Sequence, residues 1–363
     1  MRKYRMKEEA FLVKTPGRIC LFGEHSDYLG LDVIAAAIDL TIDIEASPRD
    51  DNQVHIDYLD LKEHDSFPIG HEIPYRNNRD YIRSAFNVMG RRCIEPEHGW
   101  NLRVTGKIPI AAGLSSSSAL TVGTIMAIAR MAQKEMAPED MAIAAFESEV
   151  LEFDESGGTM DHYTTALGGV IHINTNNRRV TRLPAKVGAI VIGDSGEKKT
   201  DTVGDLEFIR TTVEREYKLI AQEIPSFDRR TTPISAVSKL SRQRPNKERS
   251  MAEATLRNRD LTNRALKLLE SEEPYEYALG AMLREHHEIL RDGLDRSTPK
   301  IERMIEAAYD AGALGCKING SGRGGTMMAY TAGSEREVAS AIQEVGGTAY
   351  IVMVSRGTNL NPI

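Results

Sequence analysis

The segment that most constrains the fold is a run of glycine and serine that leads directly into an apolar helix. The sequence GLSSSSAL (residues 113–120) is followed by apolar residues on nearly every side of a predicted helix, including Val122, Ile125 and Ile128. A helix that is apolar all round must be buried. The serines at its start would then offer backbone N–H groups and the positive end of the helix dipole to an anion. A flexible loop with serine N-caps remains the alternative, and no Gly-Lys-Ser/Thr follows to make a Walker A loop.

Composition narrows the class of protein. The 363 residues are 41% hydrophobic and 27% charged, which predicts a packed globular core. A net charge of −7 argues against a dedicated nucleic-acid binder. No apolar run approaches the roughly 18 residues of a membrane span, and the first residues are charged. The three cysteines form no C-x-x-C pair, so we expect reduced thiols in a soluble, cytoplasmic protein.

The chain changes character near residue 195. Before it, apolar alternation predicts strands that are mixed with helices, as at 53–59. After it, helical periodicity dominates, and strand, helix and strand follow from residue 316. We therefore predict an N-terminal domain over 1–194 and a helix-rich α+β domain over 195–363. A basic stretch at 229–250 lacks interleaved aromatic residues and is interpreted as a solvated connector.

Glycines are concentrated in a second loop, near the C-terminus. The sequence KINGSGRGGT (residues 317–326) lies between two strand-like segments. Such a loop can bring backbone donors against a phosphate or another loop. An ordinary hairpin with a bulge is an equally good interpretation.

Charged residues are embedded among apolar ones in two further places. The sequence GRICLFGEHSDYLG (residues 17–30) carries Arg18, Glu24, His25 and Asp27, which are costly to bury unless they are paired or used on a ligand. Such short polar groups suit sugar hydroxyls, although a surface turn with a salt bridge is the alternative. Glu149 and Asp161 flank a Gly157-Gly158 turn. They could serve Mg²⁺ and an attacking hydroxyl, or be a solvated helix residue and a helix N-terminal acid.

Taken together, these segments resemble the GHMP kinase superfamily, and the galactokinase branch most. The segment GRICLFGEHSDYLG is similar to the galactokinase signature, and GLSSSSAL is similar to the phosphate-binding loop. SGGTMDH (156–162) is similar to the segment that carries the catalytic aspartate, and KINGSGRGGT is similar to the last glycine loop of the family. The resemblance implies a two-part α+β GHMP kinase fold with the active site in the inter-domain cleft. It implies ATP-dependent phosphorylation of a sugar hydroxyl, most closely that of galactose, with Mg²⁺ as cofactor and ATP and a small sugar as partners.

The same resemblance assigns roles residue by residue. Arg18 and Asp161 take the catalytic positions, and Glu24, His25, Asp27 and Gly158 take those that bind sugar. Ser117 and Glu149 take the Mg²⁺ positions. The phosphate-binding positions fall on Gly113, Leu114, Ser115, Ser116, Ser117 and Ser118.

The sequence departs from galactokinases at several positions. Cys20 replaces an asparagine, His162 a glutamine and Arg323 an aromatic residue, and Phe208 in LEFIR is the nearest counterpart of a tyrosine that lines the sugar pocket. Another acceptor therefore stays open, such as a heptose, arabinose, an amino sugar or mevalonate. A non-catalytic sensor of galactokinase type is a further alternative.

Overall fold

The computed structural model describes residues 9–110, 112–198, 202–243, 246–271 and 275–363. Its strands, in chain order, are β1 (Phe11–Phe22), β2 (Val33–Pro48), β3 (Gln53–Tyr58), β4 (Glu63–Pro68), β5 (Trp100–Gly106), β6 (Val170–Asn174), β7 (Arg179–Arg182), β8 (Ile190–Asp194), β9 (Gly315–Asn319), β10 (Thr326–Tyr330), β11 (Thr348–Val352) and β12 (Asn359–Pro362).

Helices cover both halves of the chain. They are α1 (Tyr81–Arg91), α2 (Ser116–Met131), α3 (Pro138–Glu149), α4 (Met160–Leu167), α5 (Thr202–Glu223), α6 (Ile234–Gln243), α7 (Lys247–Leu269), α8 (Glu276–Glu288), α9 (Pro299–Asp310) and α10 (Glu335–Glu344). A π-helical turn, Ile289–Gly293, continues α8. Within the described ranges, no helix is both long enough and apolar enough to cross a membrane.

The first sheet supports the serine loop. Its strand order is β12-β1-β2-β5-β3-β4, with β6 paired to β2 and to β7. Helix α2 packs on β1 and β2 and is flanked by α1, α3 and α4. Val122, Ile125 and Ile128 have no exposed surface and most other residues of this helix are buried, which confirms that the helix lies in the core. Its N-terminus consequently opens where the sheet meets the second half of the molecule.

The second sheet has the order β11-β8-β10-β9 and is covered by α9 and α10. Strand pairing crosses the predicted boundary at residue 195 in both directions. β8, which precedes it, pairs with β10 and β11, and β12 returns to pair with β1. The division into 1–194 and 195–363 stays a prediction, while the sheets themselves interleave the two halves of the chain.

β1 runs through the Pro16-Gly17 pair, with a register shift between these residues. One local prediction needs correction, because the basic stretch at 229–250 is not simply a solvated connector. It contains α6, and just before that helix Arg229 donates 2.9 Å to the Leu29 carbonyl while Arg230 donates to the Gly30 carbonyl and to Asp32. These arginines hold the turn that follows β1.

Candidate active site

The serine loop presents a helix N-terminus to a cleft. The first intrahelical bond of α2 runs from the Ala119 N–H to the Ser115 carbonyl at 2.9 Å, so the N–H groups of the serines between them point out of the helix start. Ser115 has a left-handed φ of 61° and its side chain makes no N-cap bond. Its hydroxyl instead donates 2.6 Å to Asp161. The alternative of serine N-caps therefore fails at the cap position.

Arg18 and Asp161 form a two-pronged ion pair beside this loop. Arg18 Nε lies 2.6 Å from Asp161 Oδ1, and Nη2 lies 2.8 Å from Oδ2. Arg18 Nη1 also donates to the Gly113 carbonyl at 2.7 Å, which ties the pair to the serine loop. Burial acts to raise the pKa of Asp161, but Arg18 and the Ser115 hydroxyl outweigh it and hold this pKa below its usual range. Asp161 is thus ionised and oriented.

Glu24 faces the KINGSGRGGT segment across the cleft. One carboxylate oxygen accepts 3.1 Å from Lys317 Nζ and 3.0 Å from the Gly320 N–H. Lys317 also donates 2.9 Å to the Cys20 carbonyl. The sequence analysis did not single out Lys317. A charged residue among apolar ones, which was the reason for choosing Glu24, is also present at Lys317 in β9.

The next turn joins His25, Asp27 and Tyr28. His25 Nδ1 lies 2.7 Å from the Tyr28 hydroxyl. Asp27 accepts from the N–H groups of Tyr28 at 2.9 Å and Met160 at 3.3 Å. Gly158 packs so closely that a Cβ there would lie 1.7 Å from Asp27 Oδ2. Burial, and then the nearby Asp161 charge, raise the pKa of Asp27 to about 6.

Glu149 ends helix α3 and is held by a histidine. His162 Nε2 donates to Glu149 Oε2 at 2.8 Å, and the His162 ring packs edge-on against Phe146. Glu149 is only 8% exposed, so it is not a solvated helix residue. Asp161 does lie in the first turn of α4, as the alternative interpretation had it, but it pairs with Arg18 as well.

The C-terminal glycine loop is a hairpin between β9 and β10 that also supports the serine loop. Gly320 has a φ of 74°, and a Cβ there would lie 2.9 Å from Gly113 Cα. Asn319 Nδ2 donates 2.7 Å to the Gly113 carbonyl, while its Oδ1 accepts 3.0 Å from the Cys20 N–H. Arg323 points elsewhere and pairs with Asp295 at 3.0 Å and Asp205 at 3.3 Å.

One cavity of about 390 Å³, here called the cleft cavity, collects the candidate site. It is lined by Arg18, Glu24, His25, Asp27, Tyr28, Arg79, Tyr81, Gly113, Ser115, Ser116, Ser117, Ser118, Glu149, Glu155, Gly158, Asp161, His162, Leu206 and Gly320, among others. Among the described residues, Leu114 is outside this lining because its side chain is fully buried in the core. Phe208 is 55% exposed, and from the LEFIR segment it is Leu206 that reaches the cavity.

A neighbouring cavity of about 490 Å³, the side cavity, was not foreseen. Arg79 and Tyr81 line both cavities. The side cavity combines apolar and aromatic side chains (Tyr58, Leu61, Ile82, Leu120) with two amides (Asn77, Asn78) and further polar or charged groups (Glu63, His64, Asp65, Arg76, Asp80). A flat, partly polar ligand suits such a mixture.

An ionised carboxylate fixed by an arginine, next to a helix N-terminus that opens to the cleft, is an arrangement suited to phosphoryl transfer. Comparison with known families names the class: residues 80–169 match the GHMP kinase N-terminal domain and 275–348 the GHMP kinase C-terminal domain. Residues 2–48 match the galactokinase galactose-binding signature. The chain belongs to the GHMP kinase family and is a phosphotransferase with an alcohol group as acceptor.

Relatives come from two branches of that family. Mevalonate kinase of Pyrococcus furiosus is 30% identical, over 95% of this chain and 96% of its own length. Galactokinase of Haemophilus influenzae is 26% identical, over 87% of this chain and 84% of its own.

Solved structures share the fold. Lactococcus lactis galactokinase complexed with galactose superposes with a TM-score of 0.85 at 19% identity, covering 98% of this chain and 96% of the other. Methanococcus jannaschii mevalonate kinase gives a TM-score of 0.73 at 21% identity, covering 95% and 98%. These likenesses confirm the two-part GHMP kinase fold.

Proposed function

We propose that this protein is an ATP-dependent sugar kinase that phosphorylates the anomeric hydroxyl of galactose. The observation that carries the proposal is the turn of His25, Asp27 and Tyr28, which lies within the matched galactose-binding signature and is locked against Gly158. Sugar hydroxyls need donors and acceptors side by side, and this turn supplies both within one wall of the cleft cavity. The cytoplasmic location expected from the sequence belongs to the same proposal.

The nucleotide has a place on the opposite side of Asp161. Its phosphates would meet the N–H groups and hydroxyls of Ser116, Ser117 and Ser118 at the start of α2. Its base would enter the side cavity, where Tyr58 and Tyr81 offer aromatic surface and Asn77 offers hydrogen bonds. The sugar and the nucleotide thus approach Asp161 from two directions.

Transfer follows from this placement. The sugar oxygen forms a bond to the γ-phosphorus as the bond from that phosphorus to the bridging β–γ oxygen breaks, and ADP leaves with that electron pair. Asp161 orients the hydroxyl and accepts its proton late, when the loose transition state has made it acidic. A carboxylate with a depressed pKa is a weak base, so it accepts the proton only after the hydroxyl has become acidic. Arg18 keeps Asp161 ionised and stabilises charge on the phosphoryl group.

The donor set also fits Mg²⁺. Glu149 and the Ser117 hydroxyl both line the cleft cavity, and hard oxygen donors supplemented by phosphate and water are what Mg²⁺ prefers. Within the described chain, no group of three or more acidic, histidine or cysteine side chains forms a closed metal site. From their positions in the family motifs, Glu149 and Ser117 are the residues that would hold the ion. When bound, Mg²⁺ supplies charge neutralisation on the phosphates.

ADP release from MgATP tests the proposal. The purified protein would be assayed with galactose, a heptose, arabinose, an amino sugar and mevalonate as acceptors. A preference for galactose of at least about tenfold in kcat/KM supports the proposal. Binding of ATP and galactose with no ADP release would identify a sensor and overturn it.

Mevalonate is the second candidate acceptor. It is favoured by the identity to mevalonate kinases, which extends over nearly the whole of both chains. Mevalonate carries a carboxylate, whereas the acceptor end of the cleft holds the acids Glu24 and Asp27. The described charges at that end favour a neutral polyol, and the acceptor panel distinguishes the two.

A further inference from the structure

Arg79 lies at the junction of the cleft cavity and the side cavity. It lines both, as Tyr81 does. Its side chain is 44% exposed and forms an ion pair with Glu155, which is 20% exposed and also lines the cleft cavity. Its backbone has a φ of 64°, a conformation that a residue with a Cβ adopts only at a cost. A strained backbone position thus carries the Arg79 guanidinium at the junction of the two cavities.

The charges around Arg79 are mostly negative. Among the described residues that line the cleft cavity, Glu24, Asp27, Glu149, Glu155 and Asp161 are acidic, and the cations are Arg18 and Arg79. Arg18 is engaged by Asp161 and Gly113. Partial burial acts to lower the pKa of Arg79, but the Glu155 hydrogen bond and then the Tyr81, Glu155 and Glu149 charges raise it. Among the described residues, Arg79 is the cation that lines both cavities.

A nucleotide that spans the two cavities must pass this point. If its base lies in the side cavity and its terminal phosphate at the serine loop, the intervening phosphates run beside Arg79. Glu155 on the same wall repels them. Guanidinium groups form bidentate bonds to phosphate as readily as to carboxylate. Arg79 can therefore exchange one anionic partner for another without a large movement of its backbone.

We propose that Arg79 binds the polyphosphate of the nucleotide, and that Glu155 competes with it for this arginine. This inference rests on the proposed function, because it assumes that ATP is the phosphoryl donor. The ion pair is then a resting contact that nucleotide binding breaks. Arg79 is a specific phosphate-binding residue, and Glu155 sets how tightly the nucleotide is held.

Opposite effects of two substitutions test the exchange. Arg79→Gln should raise the Kd for MgATP about tenfold, as expected for losing one charge-assisted contact. Glu155→Gln should lower it by about threefold, and this gain should vanish when Arg79→Gln is also present. Binding of adenosine, which has no phosphate, should change less than about twofold in each variant. Isothermal titration calorimetry on the full chain measures all four proteins.

A purely structural ion pair predicts a different pattern. Both substitutions would break the same bond and move the segment that carries Gly158, so both would weaken nucleotide and sugar binding together. That result would overturn the inference. Arg91→Gln is the matched control, because Arg91 pairs with Glu152 between α1 and the same segment. Among the described residues it is outside both cavity linings, so its loss should leave the Kd for MgATP unchanged.

The wild-type titration separates the two proposals. Binding of MgATP by the wild type with no loss in Arg79→Gln overturns the role of Arg79 and leaves the kinase proposal standing. Absence of any MgATP binding by the wild type overturns both. Arg79→Gly relieves the backbone cost and should not lower the Tm, so loss of nucleotide affinity in that variant cannot be ascribed to unfolding.

Discussion

Lys317 Nζ lies 3.1 Å from the Glu24 carboxylate, and the side chains are 0% and 4% exposed. These residues are 293 positions apart in the sequence. The pair joins the KINGSGRGGT segment to the GRICLFGEHSDYLG segment at the cleft cavity, which Glu24 lines. A buried ion pair by itself adds little to the free energy of unfolding, but removing one partner leaves the other buried without a counter-charge.

Lys317→Met is therefore expected to reduce the free energy of unfolding by about 3–5 kcal/mol, since Glu24 would be left buried without its counter-charge. Adding Glu24→Gln should recover part of this loss. Urea denaturation of the two single variants and the double variant measures the coupling. A double variant whose loss equals the sum of the single losses would show that the pair is not coupled.

Asp161→Asn should reduce kcat by roughly 10²–10⁴-fold, because the amide cannot accept the proton of the acceptor hydroxyl. The sugar KM should change only a few-fold, since the sugar is proposed to bind at the turn around Asp27, which belongs to a different segment. Steady-state ADP release measures both constants. Retention of most of the turnover would remove Asp161 from the mechanism.

His162→Gln tests how Glu149 is positioned. Glutamine can donate one hydrogen bond to Glu149 as His162 does, whereas His162→Ala cannot. We expect His162→Ala to raise the Mg²⁺ concentration for half-maximal rate by about tenfold or more, as for other residues that orient a metal ligand. His162→Gln should stay near wild type. Equal Mg²⁺ dependence in all three proteins would mean that His162 only fills space.

Asp27 should make sugar binding sensitive to acid. Its pKa of about 6 means that it is ionised at pH 7 and becomes protonated as the pH falls below 6. The sugar KM should then rise while the ATP KM changes little, and Asp27→Asn should abolish this difference. A flat sugar KM between pH 5 and 7.5 would contradict the assignment.

The same group affects stability with a definite sign. Its pKa is higher in the folded protein than the ordinary 3.8. The folded state therefore binds the proton more tightly, and the contribution of Asp27 to stability is lost as the pH rises from about 4 through 6. The Tm difference between wild type and Asp27→Asn should shift over that range and level off above it.

Local patterns in the sequence predicted much of the fold. The apolar residues after Ala119 predicted a buried helix, which the structure has, and the serines before them predicted an anion site at its start, which stays a prediction. Periodicity also predicted that helices dominate after residue 195, where α5 to α9 follow one another. These features depend on neighbours along the chain, whose spacing is fixed by helix and strand geometry.

Other features depended on contacts between distant segments. The predicted counterpart Phe208 is exposed while Leu206 reaches the cleft, because the direction of a side chain depends on how α5 packs. Arg229 and Arg230 belong to a stretch that looked solvated, yet they hold carbonyls 200 residues away. Charge and hydropathy alone do not distinguish a solvated arginine from one that satisfies a buried carbonyl.

By itself, the sequence determined the chemistry of the site: an arginine, acids and a serine-bordered helix start, each in a motif of its own. Only the tertiary structure decided which of these groups meet. It brought Arg18 to Asp161, Lys317 to Glu24, and Arg79 to the junction of two cavities. The reason is physical. The type of a residue determines what its side chain can bind, whereas the packing of distant strands and loops around one cleft determines which side chains lie within bonding distance of one another.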